Sequence, residues 1–561
     1  MTSSEMNEMS EQVSPAGLAP RAATPARTVS SRAPGARPLV RSPYPSLVGS
    51  LLRRAAALNV ADWDRALRFV ERTQTKTLMD LLAHAKDTYF GRVHGFRGVE
   101  TYADFVDRVP VGDYDSFSPF IDRMRRGERG LLVPEFVKYY GNSSGSSNHG
   151  KSKFLPITDR QIRFQQRAGT DVVMRYLATS GDEGLFGGGF TLGLFPPTTM
   201  KKEGPVLVTS NPALMMTKMP AVTRPCYLPE QDIRVIANYD EKLDVIAERY
   251  LDHDVRAVTG TTCWFTILFE KVLAAARKRP HWGSGARTIS DVWPNLSVLF
   301  GGGVSAAPYL PVIRELVGRD DVTLVDTYNA TEGGVYGATD FTGARGLLML
   351  PHRGTFFEFV PIEQRGTKKP ERVPLWRVER DKPYAIVVTT ASGLYAYELG
   401  DIVRFTSIAP LRVEFMGRLS GCLSVTQELT THVEIERAVE EAVDEVRCRT
   451  LDFGAAADVG VDGTAKSRYV LFVEFQDGAA PSDMTTFAAA FDRGMAKQNR
   501  VYREHRSGEV AILPPRVVEL RSGGARAFLS EVTRGNVQGK FPRIIDDTKK
   551  KLLWKHAKGS P

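Results

Sequence analysis

Cysteine is scarce: Cys226, Cys263, Cys422 and Cys448 are the four in 561 residues, and none forms a C-x-x-C pair. That spacing signals neither a disulfide framework nor a zinc site, and a reduced, cytoplasmic setting is expected. The nine histidines are equally scattered, with no H-x-x-x-H or histidine–carboxylate cluster to build a metal site. No apolar run approaches the length of a membrane span and the amino-terminus lacks a signal-peptide apolar region, so no membrane partner is expected. Acids are absent from LAPRAATPARTVSSRAPGARPLVRSPYPS, whose arginines hold much of the net charge of +9 together with the lysines of KKKLLWKHAK near the other end. The density of prolines, with Glu5, Glu8 and Glu11 upstream, reads as a disordered tail over residues 1–44 rather than a transit peptide. The body carries no aromatic-studded basic stripe, and no nucleic-acid partner is expected.

What is present is the composition of a globular protein, 42% hydrophobic and 25% charged. Such a length exceeds one core and calls for roughly three packed units, or one large and one small. From about Tyr44, SLLRRAAALNVADWDRALRFVERTQTKTLMDLLAHAKDT has the periodicity of two or three amphipathic helices. Short apolar segments then alternate with helical ones: FTLGLF, GPVLVTS, VRAVTGTT before FTILFEKVLAAARK, and LSVLFGGG before YLPVIRELVG. Strand–helix alternation predicts α/β layers. Near the end, RYVLFVEF and RVVELRS flank the helical DMTTFAAAFDRGMAKQ, a smaller α+β unit. A boundary near Gly417 divides a body, residues 45–417, from a C-terminal unit, residues 418–561; no internal repeat is present.

Residues 145–152, GSSNHGKS, fit the P-loop pattern G-x-x-x-x-G-K-[ST] letter for letter. A P-loop needs a strand before it and a helix whose amides aim at the phosphates after it. Phe136-Val-Lys-Tyr-Tyr140 suits the strand, and Lys153-Phe-Leu-Pro156 denies the helix, because Pro156 would fall one turn inside it at a cost of about 3 kcal/mol. The segment reads as strand, Ser/Gly loop, strand, with Thr158 capping the long helix that follows. Converging amides and hydroxyls let such a loop hold phosphate; as a sequence it equally fits a surface turn.

Three further segments bear on this. PNLSVLFGGGVSAAPYLPVIRELVG, residues 294–318, reads as a buried strand, then Gly301-Gly302-Gly303, then a helix, so that side-chain-free backbone admits a flat ring or an acyl chain. LVDTYNATEGGVYG, residues 324–337, reads as a strand ending in Tyr328-Asn-Ala-Thr331-Glu332-Gly333, with a stacking face, a hydroxyl for phosphate and a carboxylate for Mg2+. YELGDIVRF, residues 397–405, ends a strand with an acid at Asp401, and Arg418 follows in FMGRLSG. Taken singly, Glu332 reads as a surface acid, Gly-Asp as a turn and Tyr328 as core. Their order sets them apart.

The order Ser/Gly loop, Tyr-x-x-Thr-Glu-Gly, Tyr-x-x-Gly-Asp, Gly-Arg resembles the adenylate-forming superfamily. TYFGRVHGF, VPVGDYDSF, GGGVSAAPYLPVIRELVG and QGKFPRI are similar to its Gretchen Hagen branch of acyl-acid amido synthetases, from about Lys76 to Arg543. The resemblance implies an α/β protein: a large multi-layer N-terminal adenylate-forming domain with a smaller mobile α+β C-terminal lid. It implies an ATP- and Mg2+-dependent ligase, a monomer, that adenylates a small carboxylic acid and passes the acyl group to an amino acid or other amine. The alternatives are a thioester ligase acting on CoA or a carrier protein, and a nucleotide-binding relative that has lost catalysis.

By the same resemblance, Ser143, Ser144, Gly145 and Ser146 would bind phosphate and Lys153 would close that loop, so the P-loop match through Lys151 is accidental. Tyr328 would face adenine, Thr331 would contact the α-phosphate and Glu332 would bind Mg2+. Asp401 would hold the ribose with Arg418 beside it, and Lys540 would be the mobile lysine that reaches the reacting carboxylate and phosphate. Thr259 to Trp264 with Thr261 among them, and Gly301 to Val304 with Gly302 and Gly303, would line the acyl pocket. Two departures stand out: the Ser/Gly loop is one residue longer around Asn148-His149, and Glu428 occupies the place of the lysine in the family's Gly-Glu-Lys-Leu, which bears on how the C-terminal unit is positioned.

Overall fold

The computed structural model describes residues 38–559 except 144–152, 281, 283–284, 304–305, 307–308, 365–366, 368, 419–421, 427, 429, 462–463, 465, 510 and 533–540. The helical pattern after Tyr44 resolves into Ser46–Arg68 and Val70–Ala85, with a short third helix, Tyr89–Val93. The first two are parted at Phe69, whose backbone (φ −113°, ψ 47°) is not helical. Trp63, Leu78, Leu81 and Leu82 face inward at helical spacing, as burial of an amphipathic stripe requires.

Five parallel strands form one sheet in the order Tyr227–Leu228, Phe190–Leu194, Val255–Gly260, Val298–Phe300, Thr323–Val325. The helices Tyr239–Arg249, Thr262–Arg277 and Leu310–Val317 pack their apolar residues with this sheet around Leu243, Phe265, Phe269 and Trp293. Near-continuous apolar strands are what a sheet covered by helices demands.

An eight-stranded, antiparallel sheet lies beside it, built from Thr327–Ala330, Gly334–Ala338, Leu347–Met349, Leu411–Arg418, Tyr397–Ile408, Pro383–Thr390, Thr355–Pro361 and Val373–Pro374 in spatial order. Its inner face and the helix Val70–Ala85 share one large core around Tyr336, Phe357 and Tyr395. A third sheet pairs Lys153–Ile157, Tyr139–Ser143, Val206–Thr209 and Lys201–Glu203.

The C-terminal elements build a separate three-stranded sheet, Thr450–Asp458, Arg468–Phe475 and Arg516–Glu519, under the helices His432–Val446 and Met484–Gln498. Its core gathers Ile435, Leu471, Phe487 and Phe491. The mixed α/β architecture is the one expected from the strand–helix alternation. No helix among the described residues is long and apolar enough to cross a membrane.

Candidate active site

The opening puzzle is settled by strand pairing. Tyr139–Ser143 and Lys153–Ile157 are antiparallel neighbours, with Tyr140 opposite Pro156 and Ser143 opposite Lys153. Both described flanks of the Ser/Gly segment are strands, and helix begins only at Asp159, where the Thr158 hydroxyl accepts the Gln161 amide at 3.0 Å. Pro156 is tolerated because its strand is the edge of the four-stranded sheet, where a missing donor costs no ladder bond. The first strand starts three residues later than Phe136, where the backbone meets Val206–Thr209 on its other side.

In the parallel sheet the chain departs in opposite directions from between Phe190–Leu194 and Val255–Gly260, where Gly193 pairs with Thr259 and Leu194 with Gly260. Open α/β sheets form their crevice beyond the carboxyl ends of strands at such a switch point. Thr261 follows there as the N-cap of Thr262–Arg277, and its side chain makes no capping bond. The Thr262 amide donates to the Gly302 carbonyl at 3.4 Å, and the Gly301 amide to the Val325 carbonyl at 2.8 Å. A Cβ on Gly302 would sit 2.5 Å from the Thr327 hydroxyl oxygen and 2.8 Å from Asn329 Nδ2. Only glycine fits between these backbones, so the Gly-rich turn, the cap of Thr262–Arg277 and the Thr327–Asn329 strand form one wall.

Residues 323–330 do not form the single strand expected. Thr323–Val325 ends the parallel sheet, and after Asp326 the chain enters the antiparallel sheet as Thr327–Ala330, which places Tyr328 within a strand rather than at its end. Asp326 lies at this change of sheet, and burial pushes its carboxyl up to about 6. The expectation that Asp401 ends its strand is likewise corrected. Tyr397, Leu399, Asp401, Val403 and Phe405 alternate inward along the twelve-residue strand Tyr397–Ile408, so an acid takes an inward place between apolar residues and the strand continues.

These two strands bring the motifs together. The Tyr328 hydroxyl donates to Asp401 Oδ2 at 2.8 Å, and the Tyr328 ring meets Tyr336 edge-on, 5.5 Å between centroids. Asp401 is opposite Arg418 in the sheet register. Tyr336 is held in its neutral form: burial raises its pKa most, with the carboxylates of Glu332 and Asp401 adding to the effect. Both acids therefore act on one buried phenol. Thr331 stands against the strand that feeds the Ser/Gly loop, since a Cβ on Gly141 would lie 2.7 Å from Thr331 Cγ2. Gln161 holds the loop from below, donating from Nε2 to the Gly333 carbonyl at 2.7 Å. The Lys153 ammonium lies 5.6 Å from the centre of the Tyr114 ring, and the Tyr114 hydroxyl accepts the Phe154 amide at 2.9 Å.

Three successive segments match one family: residues 61–245 the GH3 family N-terminal domain, residues 347–418 its central domain and residues 433–549 its C-terminal domain. The chain belongs to the GH3 family. It is 23% identical to indole-3-acetic acid-amido synthetase GH3.3 of Arabidopsis thaliana, over 86% of this chain and 92% of that one. Identity to jasmonoyl–L-amino acid synthetase GH3.5 of Oryza sativa subsp. japonica is 29%, covering 88% and 95%. Identity to jasmonoyl–L-amino acid synthetase JAR4 of Nicotiana attenuata is 30%, covering 72% and 79%. Among solved structures, AtGH3.15 acyl acid amido synthetase in complex with 2,4-DB superposes with a TM-score of 0.55 at 19% identity, covering 90% of this chain and 96% of that one, a likeness of fold.

Of the residues that the GH3 resemblance singles out, Tyr328, Glu332 and Asp401 gather around Tyr336, Thr331 stands against Gly141, and Thr261, Gly302 and Gly303 lie along the Gly-rich wall. Ser144, Gly145, Ser146, Lys151, Val304 and Lys540 lie outside the described residues, as do the side chains of Ser143 and Arg418. Two neighbours of the site escaped the sequence reading, Gln161 and Tyr336. Gln161 carries a signal, because Thr158-x-x-Gln161 is a capping-box pattern, but its side chain goes to Gly333 instead of back to the cap. Tyr336 looks like any core aromatic.

Glu428 is fully buried and serves its own loop. Its carboxylate accepts the amides of Val425 at 2.6 Å and Thr426 at 2.7 Å, and the hydroxyls of Thr426 at 2.9 Å and Tyr469 at 2.6 Å. The Thr426 oxygen also lies 2.7 Å from His505 Nδ1. With that hydroxyl donating to Glu428, His505 donates from Nδ1, and burial pulls its pKa down to about 4. The same cluster meets the body: His505 lies edge-on to Trp264 at 4.8 Å, and the Tyr309 hydroxyl donates to the Val425 carbonyl at 2.9 Å.

Proposed function

We propose that this GH3 protein is an ATP-dependent ligase that adenylates a small organic acid and joins the acyl group to an amino acid as an amide. The observation that carries the reading is the convergence of Tyr328–Asp401, the Thr331–Gly333 loop and the strand entering the Ser/Gly loop on one crevice. Its relatives, amido synthetases of indole-3-acetic acid and of jasmonate, support the substrate class.

In this reading Asp401 takes the ribose hydroxyls, and Tyr328 both orients that carboxylate and offers its ring to adenine. The Thr331 side chain, close against Gly141, takes the α-phosphate, and the amides and hydroxyls of residues 143–146 with Lys153 are assigned the leaving phosphates. A metal ion bound as Mg2+ usually is, by one or two carboxylates and substrate phosphates, fits a loop that supplies one acid, Glu332. When bound, it would offset the repulsion between carboxylate and polyphosphate. Lys540 is assigned the same task from the C-terminal unit, residues 418–561, which acts as a moving lid on the body, residues 45–417.

The substrate carboxylate oxygen bonds to the α-phosphorus as the bond to pyrophosphate breaks. The amine nitrogen then bonds to the acyl carbon, AMP leaves, and the nitrogen loses a proton. Amides and hydroxyls fixed before the reaction are the economical way to stabilise such charge. The test is mass spectrometry of products after incubation with ATP, Mg2+ and panels of carboxylic acids and amino acids. Acyl-amino acid together with AMP is the expected result; thioester when CoA is supplied, or no acid-dependent AMP with any acid, overturns the assignment.

A further inference from the structure

A second cleft, of about 440 Å3, lies between the helices Ser46–Arg68 and Val70–Ala85, the start of Asp159–Ser180 and the turn His352–Gly354. The Phe69 and Thr73 amides still donate to the Arg65 and Phe69 carbonyls, so Arg65, Phe69, Arg72 and Lys76 follow one helical stripe across the junction and line one space. Arg160 enters it from the helix Asp159–Ser180, its guanidinium 5.7 Å from the centre of the Phe164 ring.

Charge in the cleft is not balanced. Of its acids, Asp62 is drawn to Arg353, at 3.4 Å, and Arg353 also pairs with the buried Asp171 beneath. Asp80 offers Arg160 only its backbone carbonyl. Among the described residues, no acid lies within ion-pair distance of Arg65, Arg72, Lys76 or Arg160, and Arg72 and Lys76 repel one another at i, i+4 spacing. The rim carries an exposed aromatic face, Phe69, 54% accessible, and Phe164 is part of the wall. The lining cations outnumber the two lining acids, Asp62 and Asp80, and this excess of positive charge, with guanidiniums suited to bidentate contact, is the complement of a compact polyanion.

We propose that this cleft binds a multiply charged phosphate anion, either an inorganic polyphosphate or the phosphate chain of a nucleotide whose base stacks on Phe69. Its ligands are Arg65, Arg72, Lys76 and Arg160, none of which belongs to the candidate active site, and the assignment stands whatever reaction that site performs.

The test is calorimetric titration of the full-length protein with tripolyphosphate at low ionic strength, in the wild type and in the double variants R72Q/K76Q and R65Q/R160Q. A binding component that weakens by ~10-fold or more in both double variants, persists in D401A and declines with added salt is expected. ATP titrated in parallel separates the sources. Tighter binding of ATP than of tripolyphosphate in D401A, abolished by F69A, identifies a nucleotide; equal affinities identify the inorganic anion. The four side chains are surface groups at this rim, and unchanged thermal melts verify that the variants fold. Tripolyphosphate affinity unaltered in both double variants, or no binding to wild type at 1 mM, overturns the proposal.

Discussion

Two buried carboxylates, Asp401 in the body and Glu428 in the C-terminal unit, are almost equally hidden from solvent and differ in what they organise. Glu428 closes on its own loop, taking amides two and three residues upstream, and its other partners, Thr426 and Tyr469, belong to the same unit. Asp401 instead ties two strands of the large sheet, through Tyr328 on one and opposite Arg418 on the other, and it faces the crevice. Burial alone distinguishes neither role. A carboxylate saturated by local amides fixes a loop; one that accepts a hydroxyl from another strand, beside the motif residues, is the one to which the proposed function gives a binding role.

The largest effect that separates them is on stability. Glu428→Lys, which introduces the residue that the family resemblance implies at this place, sets an ammonium against two amide donors in a sealed site and is expected to cost about 4 kcal/mol or more. Denaturant unfolding followed by near-ultraviolet dichroism reads this; a wild-type midpoint would show that the carboxylate does not hold the loop.

The neighbour of Glu428 gives the next largest effect, and it depends on pH. His505 has a folded-state pKa of about 4, below the ordinary 6.5, so the stability of the neutral form is fully present above pH 6.5 and is lost as pH falls toward 4, by about 3 kcal/mol over the window. His505→Asn should flatten the stability profile between pH 6.5 and 4. Parallel profiles for the two proteins would mean that the ring is not buried against Trp264.

On the body side, Asp401→Ala should leave the fold intact and raise the KM for ATP by about a hundredfold, about 2.7 kcal/mol, with a smaller change in kcat, because ribose contacts act alike in ground and transition states. ATP–pyrophosphate exchange measures it. An unchanged KM would move Asp401 from the site to the structure, leaving the two acids alike.

Legibility followed the same division. Pro156 betrayed the strand–loop–strand arrangement, and the strand–helix alternation led to the parallel sheet, because both depend on local backbone preference. Tyr328 and Asp401 were found as motif residues but misplaced on their strands: the change of sheet at Asp326 and the inward place of an acid in Tyr397–Ile408 are fixed by pairing across the fold. Glu428 read as a departure from its family because one of its partners, Tyr469, is distant in the chain and the turn that brings the amides of Val425 and Thr426 to its carboxylate carries no sequence signature. Arg65, Arg72 and Lys76 follow one helical stripe, but only the packing of Asp159–Ser180, distant in the chain, brings Arg160 to the same cleft.

The smallest expected effect sharpens the contrast most, because it leaves both carboxylates in place. Tyr328→Phe deletes one hydroxyl, keeps the ring beside Tyr336 and Phe415, and removes the 2.8 Å hydrogen bond to Asp401. A hydrogen bond to a charged group contributes about 1.5–3 kcal/mol, part of which returns as the space relaxes or admits water. The KM for ATP should therefore rise by roughly tenfold, and kcat should hold if Tyr328 acts only by orienting Asp401. In the Asp401→Ala background the same substitution should have little further effect, since the two residues act as one unit. Additive losses in that double variant would show that the tyrosine hydroxyl serves the nucleotide directly, and Asp401 would then resemble Glu428 in being held by its surroundings without orienting on their account.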